Sequence, residues 1–385
     1  MNSRMIGMFL LMLIAVVGLN FYIGWHLLIF MKELGGGVHA AVYWPIFALV
    51  SFGYLFGRVP GPKWLLPLFR FFKVIGSYYF AVMEFGIILL IGADIVYGIL
   101  RPAGHLPGDY VLYAGWTVLI LLACLMLWGT RNAWSTVIRD YPVEIRKGTG
   151  RTNTALRIAA ASDIHLGNIV GNRHLKRMVE RINDLKPDLI LLPGDVIDDS
   201  IEPFLRNKMS ETLKQLKAKY GVYAVLGNHE YYGGHIEQYV DEMKNIGIKV
   251  LRDEVVEVET EEGSVVIAGR KDKTAESMDP VGRKPVAELL SGVDPSRFII
   301  MMDHQPYGFA AAADAGVDLL LCGHTHRGQF APNHWLTGRL FELDWGYMKK
   351  NEMHVAVSSG YGTWGPPIRI ASRSEIMKID VGFLK

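Results

Sequence analysis

The chain divides according to how its apolar positions are spaced. Residues 5–30, 38–57, 74–100 and 110–128 are apolar almost throughout, each near or above the roughly 20 residues a helix needs to cross hydrocarbon. They predict four membrane-spanning helices within residues 1–135. The first stretch lacks an obvious small-residue cleavage site and is followed by three more of its kind, which favours a span over a cleaved signal peptide.

Beyond residue 155 the pattern changes. Short apolar runs bounded by Gly, Pro or Asp at 156–161, 189–192, 222–226, 298–302 and 317–321 predict buried strands, and 255–258, 265–268, 355–358 and 375–381 predict more. Amphipathic stretches at 174–185, 203–219 and 235–246 predict helices, each preceding a strand. The alternation implies a parallel-rich sheet covered by helices, an α/β domain over residues 156–385. Between the two parts, residues 136–155 read as a polar linker. Its Gly, Thr, Arg and Lys residues, concentrated at 143–154, suit contact with anionic headgroups.

Charge orients the spans. With a cytoplasmic N-terminus, the inner side carries Arg4, then Arg58, Lys63, Arg70 and Lys73, then Arg131, Arg139, Arg146 and Lys147, against Lys32 and Arg101 outside. This bias predicts a multi-pass cell-membrane protein with both termini in the cytoplasm. Within the third stretch, Glu84 reads as a polar packing group of the bundle, with a lipid or ion path as the alternative. Gly53 and Gly57 fit a small-residue helix contact. Cys124 and Cys322 form no spaced pair, so neither a disulfide framework nor a zinc finger is expected. A net charge of +2 without a basic-aromatic array argues against nucleic acid. Oligomeric state is open.

Chemistry-bearing residues gather at the ends of the predicted strands. Asp163 and His165 follow the first, Asp195 the second, Asn228, His229 and Glu230 the third, His304 the fourth, and His324 and His326 the fifth. Open α/β architectures carry their sites on loops beyond the carboxyl ends of the strands, so these residues are expected along one edge. Carboxylate and amide oxygens mixed with imidazoles suit Mn²⁺, Fe or Zn²⁺. Each block alone is weak. Together they supply the ligands of a two-metal phosphate-ester hydrolase.

In order, Asp163-Ile164-His165, Gly194-Asp195, Gly227-Asn228-His229-Glu230, His304 and Gly323-His324-Thr325-His326 resemble the pattern of the calcineurin-like metallophosphoesterase superfamily. The tail, containing Gly360-Tyr361-Gly362-Thr363-Trp364-Gly365-Pro366-Pro367-Ile368-Arg369, further resembles its bacterial membrane-associated branch. The resemblance runs from about residue 156 to the C-terminus and implies a four-layer α/β/β/α sandwich. It also implies that Asp163, His165 and His326 bind one divalent metal, that Asn228, His304 and His324 bind a second, and that Asp195 bridges them. A hydroxide activated by both metals would attack phosphorus. His229 would stabilise the transition state or protonate the leaving alkoxide, with Glu230 orienting it.

Other polar residues read more plainly. His174, His235, His334 and His354 are expected to be surface or satisfied core histidines. Asp198 and Asp199 are expected to cap a helix rather than support the site, and Asp303 to face away from it. Arg327 either grips a substrate phosphate or faces solvent; Asn168 and Arg270 are lesser candidates for phosphate contacts. The leading expectation is a membrane-anchored phosphoesterase acting on a mono- or diester or a pyrophosphate. A lipid-linked substrate suits its place at the inner leaflet, and a soluble one is equally compatible with the ligands. The alternative is a membrane sensor or transport-associated protein whose phosphoesterase-like domain binds a phosphorylated ligand. Retention of His229 favours the enzyme, because binding needs no general acid.

Overall fold

A computed structural model describes residues 3–57, 62–147, 155–261 and 263–384. The chain forms two compact units, Met1–Gly129 and Thr130–Lys385. The first contains α1 (Ser3–Glu33), α2 (Ala40–Ser51), α3 (Gly53–Phe56) and α4 (Leu66–Leu100), together with most of α5 (Tyr110–Trp134). Among the described residues, three helical stretches are long and apolar enough to cross a membrane: Ile6–Glu33, Leu66–Leu100 and Tyr110–Trp134.

The expected second span is therefore corrected. Its apolar run is split at Phe52, whose φ of −101° and ψ of 10° break the helix, and α2 alone reaches only about 18 Å against a hydrocarbon core of about 30 Å. Counting apolar residues could not reveal the break. The short helices instead pack closely on α4. A side chain at Gly76 would collide with the backbone of Gly53 and Tyr54, and one at Gly57 with Lys73. Two tyrosines among the helices are satisfied locally, Tyr79 donating to Asn20 Oδ1 at 2.7 Å and Tyr43 to the Gly24 carbonyl at 2.7 Å.

The second unit holds two six-stranded mixed sheets. Its strands are β1 (Val137–Ile145), β2 (Ala155–Ala160), β3 (Leu189–Pro193), β4 (Val222–Val225), β5 (Ile248–Leu251), β6 (Glu254–Thr260), β7 (Gly263–Gly269), β8 (Phe298–Met302), β9 (Leu319–Cys322), β10 (Gly346–Lys350), β11 (Met353–Val357) and β12 (Glu375–Phe383). One sheet runs β1-β12-β2-β3-β4-β5, the other β10-β11-β9-β8-β7-β6. Only the β12/β2, β10/β11 and β6/β7 pairs are antiparallel.

Residues 137–145, expected within the polar linker, are instead a strand paired in parallel with β12 over its whole length. Asp140 and Glu144 hid it: at a sheet edge such residues face water, while Val143 and Ile145 on the opposite face turn inward and are buried. The rest of that linker, 148–154, lies outside the described residues. The helix expected over 203–219 is two short ones, Ile201–Arg206 and Met209–Leu213, separated where Lys208 adopts a φ of +49°.

Strand faces sort the core. Ile158, Leu191 and Met377 of one sheet join Ile267, Ile300 and Leu321 of the other in a single apolar cluster. Their neighbours Ala159 and Ile190 pack with Leu175, Met178, Phe204 and Tyr239, while Ile299 and Met301 pack with Val286, Leu289 and Phe309. Because both faces of these strands are buried, their sequences are continuous apolar runs without alternation. Full burial of a residue such as Ile300 contributes about 1.5–3 kcal/mol, enough that each strand end is held firmly where a loop begins.

Candidate metal centre

Five loops bring the site together, each leaving the carboxyl end of a strand: β2 leads to Asp163 and His165, β3 to Asp195, β4 to Asn228 and His229, β8 to His304, and β9 to His324 and His326. The loops bend at once. Asp163, His165, Asp195, His324 and His326 all have φ between +50° and +73°, a region costly for residues other than glycine and concentrated at functional sites. The bends are stitched by backbone hydrogen bonds, Ile164 and His165 both donating to the Asp195 carbonyl at 2.8 and 3.0 Å. Glycine permits the close approach. A Cβ at Gly227 would fall into the Asp195 carboxylate, and one at Gly323 into that of Asp163.

The donors form two groups. Asp163, His165 and His326 offer one ligand atom each within 4.8 Å of one another, and so do Asp195, His304 and His324. His165 Nε2 and His326 Nε2 face each other at 2.9 Å, with Asp163 Oδ1 at 3.6 Å from the latter. In the second group Asn228 Oδ1 lies 2.8 Å from His324 Nδ1 and 3.2 Å from His304 Nε2, and Asp195 Oδ2 lies 3.1 Å from His304 Nε2. Asp195 also belongs to a third set with His165 and His229.

These residues fit a pair of divalent cations. Asp163 Oδ2 is buried without a hydrogen-bond partner, a costly state for a polar atom unless a ligand completes it, and His165 turns Nε2 toward the other donors. Burial lowers His165 and His324 to about 4, each helped by a neighbouring imidazole, so both rings are neutral at physiological pH and have a lone pair to give. His326 is lowered too, by burial, His165 and the Arg369 guanidinium. Burial raises Asp163 to about 6. Burial opposes ionisation of Asp195 and His304, but their mutual attraction wins, holding the carboxylate low and the imidazolium high. His304 Nδ1 is anchored to the Pro193 carbonyl at 2.8 Å, which turns Nε2 toward the other donors.

His229 is oriented differently from the sequence expectation. Its Nδ1 lies 2.6 Å from Asp199 Oδ1 and 3.6 Å from Asp198 Oδ1. Burial alone would lower this imidazole, yet the two carboxylates raise it to about 11. Glu230 does not touch the ring. It accepts backbone N–H groups of Gly227, Asp195 and Ile197 at 2.7, 3.1 and 2.9 Å and so ties two loops together. The capping role expected of Asp198 and Asp199 is likewise not found, since Ser200 is the N-cap residue of the following helix.

The lesser candidates lie elsewhere. Arg327 donates to the Ala371 carbonyl at 2.8 Å and stacks 4.0 Å over Trp345, neither gripping the centre nor facing water. Arg270 and Arg283 both bind the buried Asp303. Asn168 accepts from Arg206 at 3.2 Å. His174 is a satisfied core histidine stacked on Tyr361. Sequence reasoning passed over Arg369, which is fully buried. Its Nη2 donates to the Gly360 and Gly362 carbonyls at 3.2 and 2.6 Å and lies 3.3 Å from His326 Nδ1. The only signal was a lone arginine closing the glycine-rich tail.

Comparison with known proteins finds the chain similar to metallophosphoesterases. Residues 156–328 match the family described as calcineurin-like phosphoesterase. A Danio rerio protein described as a transmembrane protein with metallophosphoesterase domain is 34% identical over 269 residues, 68% of this chain and 61% of the relative. The chain thus spans under two thirds of that protein. An Aquifex aeolicus protein described as an uncharacterized metallophosphoesterase is 32% identical over 247 residues, 63% of this chain and 91% of the relative. Among solved structures, a dimetal phosphatase from Danio rerio aligns with a TM-score of 0.32 at 13% identity, covering 52% of this chain and 86% of that one.

Proposed function

Because the chain belongs to the calcineurin-like metallophosphoesterases, we propose that it is a membrane-anchored phosphate-ester hydrolase cleaving mono- or diesters, pyrophosphates included, at a two-cation centre. The observation that carries this reading is the convergence of seven donors from five strand ends into two groups, with Asp163 Oδ2 buried and unpartnered in the first. Asp163, His165 and His326 would hold one cation, Asn228, His304 and His324 the other, and Asp195 would be shared. The mixed oxygen and nitrogen set suits Mn²⁺, Fe or Zn²⁺. When bound, such cations supply Lewis acidity at the phosphoryl oxygens and acidify the attacking water.

The chain's own groups position and move the proton. Asp199 and Asp198 keep His229 protonated, so its imidazolium has a proton to give to a leaving alkoxide. Glu230 holds the loops of Asp195 and Asn228 in register through three backbone N–H groups. The apolar clusters on both sides of each sheet support a four-layer α/β/β/α arrangement of this unit.

Topology follows from the short-loop cations. If three helices cross, Arg58 and Lys63 share a side with Arg131, Arg139, Arg146 and Lys147, and Arg4 and Arg101 lie opposite. The catalytic unit faces the cytoplasm on this count as on a count of four; only the N-terminus changes side. A phosphate ester carried by a lipid suits an enzyme held at the inner leaflet.

The test is hydrolysis of bis-aryl and mono-aryl phosphates by the full-length protein in lipid with Mn²⁺, Zn²⁺, Mg²⁺ or EDTA, beside Asp195→Asn. Metal-dependent turnover lost in the variant is expected. Tight metal uptake with no turnover of either ester would overturn the enzyme reading in favour of a ligand-binding domain.

A further inference from the structure

The helix Asn333–Leu340 buries none of its residues. Its large apolar side chains, Trp335, Leu336 and Leu340, are 68%, 59% and 63% exposed. At about 100° per residue these three and Arg339 fall within one arc of about 140°. A short helix on a globular surface ordinarily does the reverse, because burial of its apolar face is what holds it in place. Scattered surface leucines are ordinary. A whole apolar face turned outward on so short a helix needs something to cover it.

The helix is fastened to the metal centre at both ends. Gly328, beside His326, packs so tightly on the Asn333 and His334 backbone that no Cβ fits between them. Beyond Leu340, the Phe341 ring lies 6.2 Å from that of His324 and 5.0 Å from that of Tyr307. Thr325, between the two histidines, donates to the Asp344 carbonyl at 2.5 Å, and Thr337 on the helix donates to the Asp344 carboxylate at 2.6 Å. The helix thus lies beside the loop that carries His324 and His326.

What covers it is indicated by the last residues of α5, which belong to the catalytic unit. Asn132 donates to the Arg369 carbonyl at 3.2 Å, and Ser374 donates back to Asn132 at 3.1 Å. Ile370 in the same loop donates to Gln329 at 2.9 Å, a few residues before the exposed helix. A single hydrogen-bonded loop therefore joins Asn132 to the approach of this helix within the catalytic unit. Cations accompany the path, with Arg131 in the last turn of α5, Arg373 bonded to the Ser135 carbonyl at 3.0 Å, and Arg339 on the helix itself. Tryptophan and leucine beside arginine match the interface of an anionic bilayer in both polarity and charge.

We infer that the helix Asn333–Leu340 is a membrane-interface element that seats Trp335, Leu336 and Leu340 among lipid headgroups, so that the mouth of the metal centre opens at the bilayer surface. The consequence for substrate rests on the phosphoesterase reading above: the ester phosphate is presented by a lipid, with its acyl part left in the membrane.

The test places a nitroxide at position 336, using Leu336→Cys in a Cys124→Ala background of the full-length protein, since Cys322 is buried. The protein is reconstituted in mixed phosphatidylcholine–phosphatidylglycerol vesicles, and collision rates with oxygen and with a water-soluble nickel chelate are compared. A matching label at the exposed Glu259 of β6 is the aqueous reference. At 336, oxygen collisions are expected to dominate over nickel, inverting the ratio found at 259. A nickel-accessible label like that at 259, or one shielded from both reagents as under a protein partner, overturns the inference. Absence of aryl-phosphate turnover in the unlabelled parent protein, with the inverted ratio found at 336, would sink the hydrolase reading while leaving the membrane contact standing.

Discussion

Asp199 Oδ1 sits 2.6 Å from His229 Nδ1, and this contact governs the charge of the one imidazole near the centre that is not grouped as a ligand by the resemblance. Despite burial, His229 is raised to about 11, so it stays protonated throughout the neutral range and loses its proton only as pH rises through that value. Replacing Asp199 by Asn should let the pKa fall toward the free value of about 6.5. Turnover should drop roughly 10²-fold at pH 8, the low end of what a general acid supplies, and the alkaline limb of the rate profile should move down by several pH units. Metal content should not change. A profile with its alkaline limb unmoved would show that the carboxylate does not set this charge.

The strands and the centre were legible for a shared reason. A strand buried on both faces writes a continuous apolar run, and the loop after it must carry glycine where a backbone approaches a carboxylate, as Gly227 does against Asp195. Asp199 was not legible, because its role comes from how a helix turns. Successive residues on a helix point about 100° apart, so Glu230 reaches back to the Gly227 N–H while its neighbour His229 faces Asp199. Arg369 was hidden for another reason: its partners, Gly360, Gly362 and His326, are brought together only by the folded tail. Strand β1 and the break at Phe52 escaped because edge strands carry polar residues and apolar composition is blind to helix breaks.

Metal removal should destabilise the catalytic unit. A cation at one hundred times its Kd adds about 2.7 kcal/mol to the folded state, and without it Asp163 Oδ2 is buried with no partner. Calorimetry of the full-length protein should show a lower unfolding midpoint for this unit after EDTA dialysis, restored by Mn²⁺ or Zn²⁺. Asp195→Asn removes the carboxylate that faces both groups of donors, so its midpoint should barely respond to metal. An EDTA-insensitive parent protein would contradict the proposed ligand set.

Arg369 should be irreplaceable by lysine. Its planar fork reaches two carbonyls through Nη2 and Ser372 Oγ through Nη1 at 3.1 Å, which a single ammonium on a longer stem cannot reproduce. In Arg369→Met each buried carbonyl left without a donor costs about 1–3 kcal/mol. Both variants should unfold earlier, methionine more so, and both should weaken metal retention at the group containing His326. Equal midpoints for lysine and arginine would show that only the charge matters there.

His174 should make the catalytic unit acid-labile. The ring lies between Trp134 and Tyr361, at centroid distances of 4.7 and 4.3 Å, in the first turn of the helix Asn172–Asp184. Burial, then the nearby Arg177, lower it to about 4, and a helix N-terminus is itself unfavourable to a cation. Between about pH 6.5 and 4 the unfolded chain binds a proton here that the folded chain refuses, so stability falls as pH falls through that window. The shift corresponds to about 3 kcal/mol, fully lost by pH 4. His165 and His324 shift the same way, so the informative quantity is the difference between the parent and His174→Gln. That difference should be constant above pH 7 and should change steadily in favour of the variant on acidification, as read from urea unfolding at a series of pH values. A difference independent of pH would mean that the folded histidine titrates as it does in the unfolded chain, unaffected by its burial.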